Sequence, residues 1–130
     1  MPLPNGAGGY QLGDGNLTEV TMDVQGTPVA KTAAAVLTAA ELTSGIITYT
    51  GAVANLTLPT VALTEALVSS AKDNSSFEVV IINIGATNAA TVVVGTGWTI
   101  VGAAAVAAGT SGQFRARKTG DLAWTLYRVA

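Results

Sequence analysis

Between residues 17 and 24 apolar and polar side chains alternate, with Leu17, Glu19, Thr21 and Asp23 on one side of an extended backbone and Thr18, Val20, Met22 and Val24 on the other. Around this run lie six glycines between Gly6 and Gly26, each of which loses much backbone entropy on ordering. Leu3, Tyr10, Leu12, Leu17, Val20, Met22 and Val24 are its scattered apolar anchors. Residues 1–30 therefore read as a glycine-rich arm unable to form a core alone, either a flexible tail or a segment that becomes ordered by docking on another surface.

From residue 31 the pattern is that of a folded domain. Thr38-Ala39-Ala40-Glu41 has the spacing of a capping box, and Gly45 limits the helix to one short turn. Residues 46–50 read as a strand, 51–55 as a turn, and 56–59 as a strand ended by Pro59. A helix is predicted near 60–72: Thr60 caps it, and Leu63, Ala66, Leu67 and Ser70 or Ala71 form its apolar stripe. Lys72 suits its C-terminus, and Asp73-Asn74-Ser75-Ser76 ends it.

Residues 77–84 are almost continuously apolar and β-branched, which predicts a strand covered on both faces. Further strands are expected at 91–94, 98–101, 113–118 and 124–129, the last placing Trp124, Leu126 and Arg128 on one face. Short strands punctuated by turns predict an all-β domain over 31–130, a mainly antiparallel sandwich or barrel with the one helix near 60–72. Large apolar residues are scarce beside alanine and threonine. The strand at 77–84 therefore needs cover from identical subunits, and the domain is expected to oligomerise.

Composition narrows the chemistry. The chain has no histidine and no cysteine, and its eight carboxylates never form a close sequence pair. General acid–base, nucleophilic and metal chemistry draw heavily on those groups. The expectation is a non-enzymatic structural or binding protein with no catalytic residue, metal or cofactor. Gly8, Gly9, Gly13 and Gly15 lack the preceding strand and the following Lys of phosphate-binding loops.

A net charge of −2 argues against nucleic acid as a partner. No apolar run of about 18 residues exists to span a membrane. The opening Met1-Pro2-Leu3-Pro4-Asn5 has no basic start followed by an apolar run, which predicts folding in the cytoplasm. Charge is unevenly distributed: Asp14, Glu19 and Asp23 lie in the arm, whereas Arg115, Arg117, Lys118 and Arg128 lie near the other end.

The segments Leu37-Thr38-Ala39-Ala40-Glu41-Leu42-Thr43-Ser44-Gly45-Ile46-Ile47, Leu56-Thr57-Leu58-Pro59-Thr60, Ser76-Phe77-Glu78-Val79-Val80-Ile81-Ile82-Asn83, Thr110-Ser111-Gly112-Gln113-Phe114-Arg115-Ala116 and Ala123-Trp124-Thr125-Leu126-Tyr127 carry a resemblance. In tone and order they resemble capsid decoration (cement) proteins and head-fibre bases of tailed phages. Asn5-Gly6-Ala7-Gly8-Gly9-Tyr10-Gln11-Leu12-Gly13-Asp14-Gly15-Asn16 is similar to the leading segments of phage head proteins.

The resemblance implies a homotrimeric β-domain on the capsid exterior of a virion assembled in the host cytoplasm, with the major capsid protein as partner and another head-fibre protein as a further one. The capsid-binding arm would use Tyr10, Leu12, Asp14, Leu17, Glu19, Val20 and Met22, and Arg115, Arg117 and Lys118 would supply a secondary contact surface. The alternative is a receptor- or glycan-binding module of a fibre or spike, with Trp98, Trp124, Tyr49 and Tyr127 as stacking platforms.

Overall fold

The computed structural model describes Met22 and residues 24–130. Its strands are β1 (Val29–Lys31), β2 (Ala35–Val36), β3 (Ile46–Tyr49), β4 (Ala54–Thr57), β5 (Ser76–Asn83), β6 (Ala90–Val93), β7 (Trp98–Val101), β8 (Ala105–Val106), β9 (Ser111–Gly120) and β10 (Ala123–Arg128). Two short helices interrupt them, α1 (Ala39–Thr43) and α2 (Val61–Leu67). Six strands form one sheet in the order β1-β3-β5-β9-β10-β7, and four form another in the order β2-β4-β6-β8.

The chain alternates between the sheets: β1, β3 and β5 belong to the larger, and β2, β4 and β6 to the smaller. Each strand leaves its sheet, visits the other, and returns pointing the same way. Consequently β1, β3 and β5 pair parallel, as do β2, β4 and β6. β7 also pairs parallel with β10, while β5·β9, β9·β10 and β6·β8 are antiparallel. Both sheets are thus mixed, which corrects the mainly antiparallel expectation. Frequent turn signals mark short strands correctly, but most of these turns carry the chain across to the opposite sheet. Only β9 and β10 form a consecutive paired hairpin among the described strands.

One core serves both sheets. Ile47, Tyr49, Val79, Ile81, Phe114, Trp124 and Leu126 enter it from the larger sheet, and Leu56, Ala90, Val92 and Val106 from the smaller. Leu37, Leu42, Leu58 and Val61 close it from the connections. Buried polar groups are satisfied: Trp98 Nε1 donates to Pro59 O at 2.8 Å, and Asn83 Nδ2 donates to Asn88 O at 2.7 Å and Val106 O at 3.0 Å. Such pairing avoids the cost of an unmet buried donor.

The capping box forms as expected, with Glu41 N donating to Thr38 Oγ1 and Thr38 N donating to Glu41 Oε1. Thr60 caps α2. That helix ends at Leu67, short of residue 72, and its inward face differs from the expected stripe: Val61 and Thr64 are buried, while Leu63 and Leu67 are exposed. Val61 is drawn inward against Gly97, whose φ of +88° suits a residue without Cβ. A Cβ there would press on the Val61 side chain and lie 2.9 Å from Leu122 O.

β5 also departs from expectation. Val79, Ile81 and Asn83 face the core, whereas Val80 and Ile82 on the reverse face are only half-buried. Cover on both faces is therefore absent within one chain, because the second sheet packs on one side alone. Short strands β1 and β2 lie where no strand was expected, and β1 starts at Val29, inside the segment assigned to the arm.

Replacing Leu56, wholly buried at the centre of the smaller sheet, with Ala is expected to cost about 2–5 kcal/mol in urea unfolding. The corresponding Leu63→Ala change on exposed α2 is expected to stay within about 0.5 kcal/mol.

Candidate functional site

The arm joins the domain beside α1. Gln25 Nε2 donates to Ser44 O at 2.7 Å, and six residues later Lys31 Nζ reaches Glu41 Oε2 at 2.8 Å. Glu41 thus ties β1 to α1 while it completes the capping box. The hydrogen bond from Lys31, followed by that from the Thr38 backbone amide, holds the Glu41 carboxyl below its ordinary pKa despite opposing desolvation. Immediately before this root, Met22 and Val24 are almost wholly exposed, at 85% and 100%. Tyr10, Leu12, Asp14, Leu17, Glu19 and Val20 lie outside the described residues.

The three basic residues of β9 divide between its faces. Arg115 and Arg117 project from the outer face of the larger sheet. Arg115 pairs with Glu78 across the β5·β9 ladder. Arg117 donates to Tyr127 Oη at 3.0 and 2.8 Å and to Asn74 Oδ1 at 2.8 Å, and its guanidinium lies 5.6 Å from the Tyr127 ring centroid. Lys118, one residue on, turns to the opposite face and lies 3.5 Å from Glu65 Oε2. Arg115 and Arg117 form one surface; Lys118 does not join it.

Sequence pattern does not single out Glu65, because its partners lie more than fifty residues away. Its Oε2 accepts from Leu122 N at 3.1 Å and Trp124 Nε1 at 3.0 Å. A single carboxylate therefore holds the β9–β10 turn, where Leu122 takes a φ of +53°, against α2. Beside it opens a cleft of about 230 Å³ lined by Val68, Ser70, Ala71, Ser75, Ser76, Phe77 and Trp124.

The aromatic residues proposed as stacking platforms are mostly internal. Tyr49 and Trp124 are 1% exposed and Trp98 is 6% exposed, and the two indoles pack together with centroids 5.8 Å apart. Tyr127 is half-buried and occupied by Arg117. Among the described residues, no group of three or more acidic, His or Cys side chains is arranged to hold a metal ion. No protein family, curated protein or solved structure was found to match this chain.

Glu65→Ala strands both the Trp124 N–H and Lys118, and is expected to cost about 1–3 kcal/mol in chemical unfolding. Glu65→Gln, which keeps an acceptor oxygen, is expected to cost less.

Because the Glu41 pKa is lowered on folding, the folded protein gains stability from its charged form above the unfolded pKa, and loses that gain as pH falls through the folded value. The fall in stability on acidification below about pH 4.3, the usual Glu value, should be shallower in Glu41→Gln than in the parent, as read by unfolding midpoints across pH.

Proposed function

We propose that this chain is a non-enzymatic phage virion protein that docks on the major capsid protein shell and stabilises the head as a homotrimer. The observation that carries the reading is the division of labour in the chain. Among the described residues every fully buried apolar core side chain lies between Leu37 and Leu126, whereas Met22 and Val24 at the root of the arm are exposed. The domain closes its seam from those residues with Val29 packed beside them, and in this reading the apolar anchors ahead of Gln25 serve another surface.

In this reading the two sheets stack as a sandwich, a rigid body carried on the capsid exterior. The arm's Tyr10, Leu12, Leu17, Val20 and Met22 bury themselves in capsid grooves, and its glycines allow close backbone approach or strand addition. Asp14 and Glu19 meet a basic shell surface. Three arms on one trimer bind with avidity, since once one has docked the others meet their sites at about millimolar effective concentration. Arg115 and Arg117 provide a secondary contact outside the arm.

Deletion of residues 2–26 is expected to leave circular dichroism and oligomeric state unchanged. It should abolish co-sedimentation with empty capsids assembled from the major capsid protein. For the full chain, attachment should weaken as salt is raised, because screening shortens the reach of the arm's carboxylates. Undiminished decoration by the truncated protein would move the docking site to the Arg115–Arg117 face.

A further inference from the structure

Val29, Ile47 and Ile81 lie side by side across the parallel strands β1, β3 and β5. The chain ahead of β1 therefore leads back toward the end of the sheet where β5 begins. Four residues back from Val29 and from Ile81, Gln25 comes about level with Phe77, and its bond to Ser44 O holds it there. At that end opens the cleft of about 230 Å³. Val68, Ala71, Phe77 and Trp124 make its walls apolar, and exposed Ser70 and Ser76 stand at its mouth. A cavity of about 150 Å³ takes a benzene ring, so this one has room for one or two aliphatic side chains.

We propose that the cleft is the seat of this chain's own arm, with Val20 as the anchor, occupied until the arm docks on a capsid. The proposal rests on the docking reading only for that later step. Three observations select this occupant. The first is reach. Two strand spacings of about 4.8 Å each separate β1 from β5, and the five residues from Gln25 back to Val20 span up to about 16 Å when extended. Met22 and Val24 are exposed, and Val20 is the next apolar side chain along their face.

The second is the edge of β5. Val80 N donates to Gly45 O at 2.8 Å, and by alternation the backbone groups of Ser76 and Glu78 point the same way. Pairing with β3 starts only at Val80, and among the described strands none continues it along Ser76–Val79. An extended, alternating segment such as residues 17–24 thus has a backbone edge to follow into the cleft. The third is charge. At this corner Glu65 is paired with Lys118 and Glu78 with Arg115, which leaves Lys72 and Arg117 against Asp73. The arm brings Asp14, Glu19 and Asp23, and no Lys or Arg lies in residues 1–30. Because Val20 serves both sites, the seat lowers the apparent affinity for capsid by the fraction of arms that are free.

The chain has no cysteine, so a pair introduced at Thr21 and Ser70 reports alone. In dilute full-length protein with oxidised glutathione, Thr21→Cys, Ser70→Cys should close an intramolecular disulfide, read by mass and gel mobility. Adding Val20→Asp should slow closure about tenfold, the shift expected from one buried aliphatic side chain, as should filling the cleft with Ala71→Leu. Val20→Asp changes the arm alone and carries the test should Ala71→Leu fail to fold.

Equal closure rates with and without Val20→Asp would overturn the proposal, as would disulfides formed only between molecules. The locked protein should lose co-sedimentation with empty capsids and regain it on reduction; decoration by the locked form as tight as by the reduced form would overturn the competition between seat and capsid. A reduced protein that never binds capsids would sink the docking reading instead, with the seat still supported by the closure rates.

Discussion

A shortage of large apolar side chains is the constraint on which this structure depends. With two tryptophans, two phenylalanines and three tyrosines in the whole chain, there is enough to fill one seam. Trp98, Trp124, Phe114 and Tyr49 all lie in that seam, with Leu56, Val92 and Val106 meeting them from the smaller sheet. Alternating between sheets lets each short strand contribute one or two inward side chains, so that no strand requires a long hydrophobic run. At about 25 cal/mol per Å² of apolar surface buried, concentrating these groups matters more than adding alanines to the periphery.

The same economy explains the polar fastenings. Where apolar mass is thin, single side chains tie distant parts together: Glu65 holds the β9–β10 turn to α2, Asn83 bonds the end of β5 to the 88 and 106 carbonyls, and Glu41 secures both α1 and β1. What remains on the surface includes an arm root with exposed Met22 and Val24, exposed Ile84 just past β5, and the paired Arg115 and Arg117. In the proposed function, capsid docking is assigned to the arm.

Local chemistry was legible in the sequence, and long-range pairing was not. The Thr38–Glu41 box and the Thr60 cap announce both helix starts, since cap and partner lie within four residues. Strand β7 coincides with its expected bounds because glycines at 95, 97 and 102 isolate it. The parallel order escapes such reading: nothing near Ile46 or Val80 says that they will be neighbours across the sheet. The inward face of α2 differs from the sequence pattern for a related reason: in a seven-residue helix the packing of Val61 and Thr64 outweighs a stripe containing Leu63 and Leu67. Sequence proximity groups Lys118 with Arg115 and Arg117, yet strand alternation and the contact with Glu65 place it on the other face. Six of the seven proposed arm contacts lie outside the described residues, so for the arm only the exposure of Met22 adds to the sequence reading.

Hydrogen–deuterium exchange of the full-length protein, free and bound to empty capsids, tests the central claim most directly. The account predicts that binding slows exchange across residues 10–24 and leaves the amides of β4, β6 and β10 unchanged. Protection confined to the Arg115 and Arg117 face, with the arm exchanging as fast as in the free protein, would contradict it.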